Sequence, residues 1–241
     1  MNTSENIEAF KDHLQQLRAS VDKSEKNETE VETALEWLKT KRVENSGETK
    51  LVKIPDLADW LYSEDEGIVR NKKGADYFFS VQGVIVEQAK GTEVAKWNQP
   101  IIVQKDGGFL VILCQERDGE IKFLLHAKFE AGNISGVQLG PTIQATYSNL
   151  AQHHNGSKPR FSEYIQDHPN TTLIYSARHN EEGARFWQKS NVNSLILLNK
   201  DEELEMKEND DYIWLSLQQI KTLMLHDHVI NPFVKTILSP L

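Results

Sequence analysis

Apolar residues first recur along the chain at helical spacing: Ile7, Phe10, Leu14, Leu17 and Val21, then Val31, Leu35 and Leu38 after a polar break at Asp22–Thr29. Steps of three and four place each set on one helix face, so two amphipathic helices are expected in an N-terminal helical arm, residues 1–45. Asn45–Lys50 is polar with one glycine and reads as the connector to a main domain, residues 46–241. Pro55 then opens a short helix carrying Leu57, Trp60 and Leu61. Beyond Gly74 the pattern turns to strands. Tyr77–Val86, Ile101–Gln104, Phe109–Gln115 and Ile121–Phe129 are rich in β-branched and aromatic residues, with Gly107-Gly108 and Arg117–Glu120 as turns. Thr172–Ala177 and Ser194–Leu198 are further strands, and Ser162–Gln166, Glu181–Lys189, Ser216–Leu225 and Asn231–Leu238 read as helices. Strands crowd the middle and helices close the chain, which favours an α+β class over a doubly wound parallel sheet.

Residues 126–149, HAKFEAGNISGVQLGPTIQATYSN, break this plain pattern. Gln138, Thr142, Gln144, Thr146, Ser148 and Asn149 follow one another closely, with Lys128, Glu130 and Asn133 just upstream. Amides and hydroxyls that both donate and accept hydrogen bonds suit a polyhydroxylated ligand, so Gln138–Asn149 is expected to be a loop that positions a sugar.

Composition narrows the function classes. A length of 241 residues allows one sizeable domain with a helical arm, and a formal net charge of −9 excludes general nucleic-acid binding, which needs a basic surface. No apolar run reaches the length of a membrane span, and Met1–Ser20 is polar and mixed in charge, unlike a signal peptide. A cytoplasmic protein with no membrane partner is expected. The single Cys114 lies in an apolar strand-like run, where a buried structural thiol is expected in place of a nucleophile.

AKFEAGNISGVQLGPTIQATYSN, preceded by WNQPII at 97–102, resembles the NDP-hexose 2,3-dehydratase family of deoxysugar biosynthesis. IPDLADW (54–60) and YFFSVQGVIV (77–86) are similar to the family's entry segment. EEGARFWQKSNVNSLIL (181–197) and YIWLSLQQIKTLM (212–224) are similar to its closing part. The resemblance runs from about Leu51 to the C-terminus; typical members carry the unit twice in tandem, and this chain carries it once. It implies a Nudix-like mixed β-sheet flanked by helices, without the acid-rich helix with which Nudix hydrolases hold metal. It also implies a lyase acting on an NDP-4-keto-6-deoxyhexose, with dTDP-4-keto-6-deoxyglucose as the expected substrate. The C4 ketone acidifies the C3 proton, the C2 hydroxyl leaves, and the resulting enol becomes a 3,4-diketo-2,6-dideoxy sugar. Since the ketone stores the carbanion charge, no cofactor is expected, and no Gly-rich dinucleotide loop or P-loop occurs. Halves that pack together in tandem members lead to a homodimer as the expected state, with Ile7–Val21 and Val31–Leu38 contributing to its interface.

Lys128 and Glu130 alternate onto one face of a strand and match the family's AK-E-x-GN element, so the resemblance makes them candidate oxyanion stabiliser and acid or base. By themselves they also fit a structural ion pair at a strand end. Tyr147 is a candidate acid. His126 shares the Lys128 face, but a lone His at a strand position is more often a packed or surface histidine than a catalyst, and the general base is left unassigned. Trp97 and Gln99 fit either stacking and orientation of a sugar or base, or a turn anchored by a core Trp. Arg185, Trp187, Lys189, Asn191 and Asn193 suit a diphosphate and nucleobase, though Arg185 and Lys189, four apart, also fit a solvated helix face. His153-His154 and His226-Asp227-His228 lack the fuller ligand set of a metal site, and no metal is expected. Tyr147 stands where many members have Arg, Gly140 where they have Ser, and Ala131 where they have Pro. Loss of the Arg favours an alternative reading, a non-catalytic nucleotide-sugar-binding or accessory protein, or an enzyme for another keto substrate.

Overall fold

The computed structural model describes residues 10–15, 17–18, 28–45, 47–88, 90–150, 158–165 and 167–241. Within these the fold is α+β and divides into two compact units. One comprises Met1–Thr49, Phe109–Ala177 and Val192–Leu241, and the other Lys50–Gly108 and Arg178–Asn191.

The smaller unit is built on an antiparallel sheet in the order β1-β2-β3-β4, from Trp60–Ser63, Ile68–Asn71, Ser80–Val86 and Trp97–Val103. The helix expected from Pro55 to Leu61 is replaced by a single 3-10 turn at Ile54–Asp56 and by β1. Its apolar run is too short to distinguish the two periods, and pairing decides: Trp60–Ser63 bonds to Ile68–Asn71 across a turn in which Gly67 adopts φ +66°. Glu181–Lys189, expected as a helix, is also irregular. Ile102 N–H donates to the Arg185 carbonyl and Trp187 N–H to the Ile102 carbonyl, so this backbone closes only a turn on Glu182 and otherwise pairs with β4.

The larger unit is organised by a sheet in the order β11-β6-β5-β10-β9, with β7 on β6 and β8 on β5. Its strands are β5 (Gly108–Arg117), β6 (Glu120–Phe129), β7 (Val137–Gly140), β8 (Ile143–Thr146), β9 (Thr171–Asn180), β10 (Ser190–Leu198) and β11 (Tyr212–Ser216). β5 pairs antiparallel with β6 and parallel with β10. Both faces of β5 are buried, Leu110, Ile112 and Cys114 on one and Val111 and Leu113 on the other, which explains its unbroken apolar run. The first face is covered by α1 (Glu28–Glu44), α3 (Leu217–Leu223) and α4 (Pro232–Leu238) through Val31, Ala34, Leu38, Ile220, Leu223, Val234 and Ile237. Part of the segment expected as a separate arm is thus core of this unit. Helical backbone also occurs at 10–15 and 17–18, and Leu17 is buried. The rest of Ile7–Val21, the break up to residue 27, His153-His154 and Gln166 fall outside the described residues.

Capping sets the two last helices. Ser216 and Gln219 form a reciprocal capping box on α3, and Asn231 caps α4 with Pro232 in its first turn. Among the described residues no helix is long and apolar enough to cross a membrane.

The expected loop at Gln138–Asn149 is mostly β7 and β8, followed by one helical turn, α2 (Tyr147–Leu150). The last β5–β6 pair in register is Leu113 with Leu124; from His126 onward the same edge of β6 pairs with β7, while β8 pairs with β5. β7 and β8 therefore wedge open a fork between the two central strands. Thr142 sits at its apex: its hydroxyl accepts from Leu113 N–H at 3.0 Å and donates to the Leu124 carbonyl. Thr142→Val keeps the shape but strands two buried backbone groups. We expect a loss of roughly 2–4 kcal/mol in urea unfolding at unchanged fold, and a loss near zero overturns the splice role.

Candidate active site

The fork opens a cavity of about 470 Å³ in the larger unit, lined by His126 and Lys128 from β6, Thr142–Gln144, Lys158–Arg160 and Lys207–Tyr212. Strand alternation turns His126 and Lys128 to this side while Leu125 and Ala127 enter the core. Glu130, one alternation beyond Lys128, is not itself in the lining but is one hydrogen bond from it. Its Oε1 accepts from Gln144 Nε2 at 3.0 Å and its Oε2 from Asn231 Nδ2 at 3.0 Å. Gln144 Oε1 is buried and has no hydrogen-bond partner in the described protein.

Burial lowers the Lys128 pKa, and the nearby Glu130 charge opposes that shift. His126 is pushed down to about 4, first by burial and then by the Lys128 charge, against the pull of Asp211 and Asp210. Its ring stacks on Tyr212 with centroids 4.3 Å apart and planes 7° apart. Burial raises the Tyr212 phenol to about 12. Both rings therefore present neutral, hydrogen-bonding edges at neutral pH.

The far wall is held by ion pairs. Arg160 bonds Asp210 at 2.7 Å and the Glu205 carbonyl at 2.6 Å, and its guanidinium lies 5.0 Å from the Tyr212 ring centroid. Burial alone would raise the Asp210 pKa, but Arg160 and the backbone N–H groups of Lys207 and Asp211 hold it below the ordinary value. From α1, Lys41 reaches Glu44 at 2.7 Å, the Asn209 carbonyl at 2.7 Å and Asp211 at 3.4 Å. Burial works against that ammonium, yet the Glu44 and Asp211 contacts leave its pKa raised.

The residues expected at a site divide among several places. Lys128, Thr142 and Gln144 line the cavity, and Glu130 adjoins it. Gln138 is buried on β7 opposite Lys128. Asn133 closes the turn after β6, its N–H donating to the Glu130 carbonyl and its side chain to that of Gly136. Tyr147 lies outside the cavity lining, edge-on to Phe109 with centroids 4.9 Å apart. Thr146 Oγ1 joins Ser148 Oγ at 2.8 Å and accepts from Asn149 N–H, capping α2. In the smaller unit Trp97, Gln99, Trp187 and Lys189 line a second cavity of about 370 Å³ with Val84 and Phe186. Gln99 is anchored there on the Ala184 carbonyl, Lys189 bonds Gln104, and Asn191 bonds Glu181 at 2.7 Å. Arg185 is exposed beside that lining, and Asn193 is buried on β10 of the larger unit. Sequence reasoning missed Arg160, Asp210, Tyr212 and Asn231, because nothing in spacing links residues fifty or a hundred positions apart. Among the described residues no three His, Cys, Asp or Glu side chains are grouped to hold a metal; His228 uses its carbonyl to accept from Arg42.

Because folded His126 has a pKa below its ordinary 6.5, the unfolded chain binds more protons between pH 6.5 and about 4. Its contribution is complete above pH 6.5 and lost as pH falls through 4, on the order of 3 kcal/mol at most. His126→Phe retains the stack and cannot titrate, so its stability should fall less over that range in urea titrations; parallel profiles would contradict a lowered His126 pKa.

A family model described as NDP-hexose 2,3-dehydratase matches residues 31–241. The dTDP-4-dehydro-6-deoxy-alpha-D-glucopyranose 2,3-dehydratase of Saccharopolyspora spinosa is 34% identical over 203 residues, 84% of this chain and 40% of that protein. The enzyme of the same name from Amycolatopsis orientalis is 34% identical over 207 residues, 84% of this chain and 43% of that protein. The chain thus spans about two fifths of the length of the curated relatives it matches. Among solved structures an ADP compounds hydrolase aligns with 80% of this chain and 94% of its own at 12% identity and a TM-score of 0.43. A Nudix hydrolase from M. smegmatis, RenU, aligns with 62% of this chain and 86% of its own at 12% identity and a TM-score of 0.33.

Proposed function

The chain belongs to the NDP-hexose 2,3-dehydratase family, and from that premise we propose that it removes water from an NDP-4-keto-6-deoxyhexose at the fork cavity. The observation that carries this reading is Lys128 lining the cavity at the end of β6, with Glu130 just past the strand and its carboxylate held by two amides, that of Gln144 in the lining and that of Asn231. The Lys128 ammonium stabilises charge building on the C4 ketone oxygen while Glu130 takes the C3 proton. The C2–O bond breaks, the hydroxyl leaves with a proton as water, and a C2–C3 double bond forms. Protonation of the resulting enol at C2 gives the 3,4-diketone. Gln144, whose buried Oε1 has no hydrogen-bond partner among the described residues, accepts a hydrogen bond from a substrate hydroxyl. The name carried by the relatives favours dTDP-4-keto-6-deoxyglucose.

The same reading includes a Nudix-like sheet, supported by the parallel β5–β10 pair beside antiparallel β5–β6, β6–β7 and β6–β11, with helices on one face. It includes a cytoplasmic location and a homodimer. The dimer contact requires a surface other than the apolar face of α1, since Val31, Ala34 and Leu38 are covered by the chain's own core. Light scattering at micromolar concentration should find twice the chain mass; a stable monomer overturns the dimer.

Incubation with dTDP-4-keto-6-deoxyglucose should produce loss of one water by mass spectrometry, and Lys128→Met or Glu130→Gln should slow it at least about 100-fold. Tight nucleotide-sugar binding without water loss would replace the lyase reading with the accessory-protein one, to which Tyr147 in place of Arg points.

A further inference from the structure

The two oxygens of Glu130 are treated differently by the fold. Oε1 is held by Gln144, already a candidate for substrate contact, and Oε2 by Asn231, which lies a hundred residues downstream at the start of α4. Asn231 is 5% exposed, and its backbone N–H donates to the Leu139 carbonyl at 2.9 Å, fixing it beside β7. Its amide has a defined orientation, because Oδ1 accepts from Phe233 N–H at 2.9 Å as the helix cap, leaving Nδ2 to face the carboxylate. Asp, Ser and Thr also cap helices well, but of the good capping residues Asn alone offers an N–H₂ donor from the same group.

We propose that Asn231 is a positioning residue of the active site, fixing the Glu130 carboxylate in its working rotamer through Nδ2. An amide is suited to this task because it donates a hydrogen bond without titrating, so it orients the carboxylate without competing for the proton that Glu130 takes and returns. Each carboxylate oxygen keeps acceptor capacity beyond the single amide it receives. The inference rests on the reading of Glu130 as the proton-transfer group.

Two experiments test it, one without substrate. In urea unfolding, Asn231→Asp keeps the cap but sets two carboxylates against each other and should lower the midpoint. Glu130→Gln combined with Asn231→Asp reverses donor and acceptor and should recover most of that loss. Additive midpoints, with no recovery in the pair, overturn the contact. In water-loss kinetics, Asn231→Ser, which keeps a capping oxygen, should still fold, lower kcat at least about tenfold and leave KM within about threefold. The Glu130→Gln/Asn231→Asp pair should regain stability and not activity. Full kcat in folded Asn231→Ser means that the residue only caps α4, and the proposal falls. If the wild-type chain releases no water, the lyase reading and the kinetic role fall together, while the urea cycle still decides whether Asn231 sets the carboxylate.

Discussion

Everything at the candidate site follows from one hydroxyl at the point where the central strands part. Two neighbouring strands that diverge leave an N–H and a C=O facing nothing, and in a buried sheet that is costly. Thr142 meets both demands, taking Leu113 N–H and giving its proton to the Leu124 carbonyl. β7 and β8 then continue the pairing on either side, so the sheet opens without losing its ladder. A cavity lies at the fork, and the far half of β6 presents His126 and Lys128 to it.

The walls of that cavity are electrostatic where the floor is sheet. Arg160 ties the segment before Phe161 to Asp210, and Lys41 ties α1 to Asn209 and Asp211. These partners come from three distant stretches, and each buried charge has an opposite charge or a carbonyl within reach, which is what keeps burial tolerable. α1 therefore does two things at once. Its apolar side completes the core through Val31, Ala34 and Leu38, and its last turn fixes a wall of the site.

Much of this was readable in the residues. The unbroken apolar run of β5, the Arg117–Glu120 turn and the apolar periodicity of α3 and α4 all express local rules, so these strands and helices appear near where the pattern places them. Local rules failed where backbone bonds go to a distant partner. Trp60–Ser63 became a strand because Ile68–Asn71 was available to it, and Glu181–Lys189 lost its helix because Arg185 and Trp187 pair with Ile102. The polar density of 138–149 pointed to recognition, yet the Thr142 hydroxyl serves the fork and Thr146 caps α2. Of that stretch Thr142, Ile143 and Gln144 line the cavity.

The sequence by itself determined the family, through ordered segments from Leu51 onward, the α+β class, and the shared face of His126 and Lys128, because alternation along a strand is a property of the chain alone. Only the tertiary structure decided that Glu130 is gripped by Gln144 and Asn231, that half-buried His126 stacks on Tyr212, and that Tyr147 rests on Phe109 outside the cavity. Those outcomes depend on which distant backbones meet and which charges lose water when they do. Neither quantity has a period along the chain.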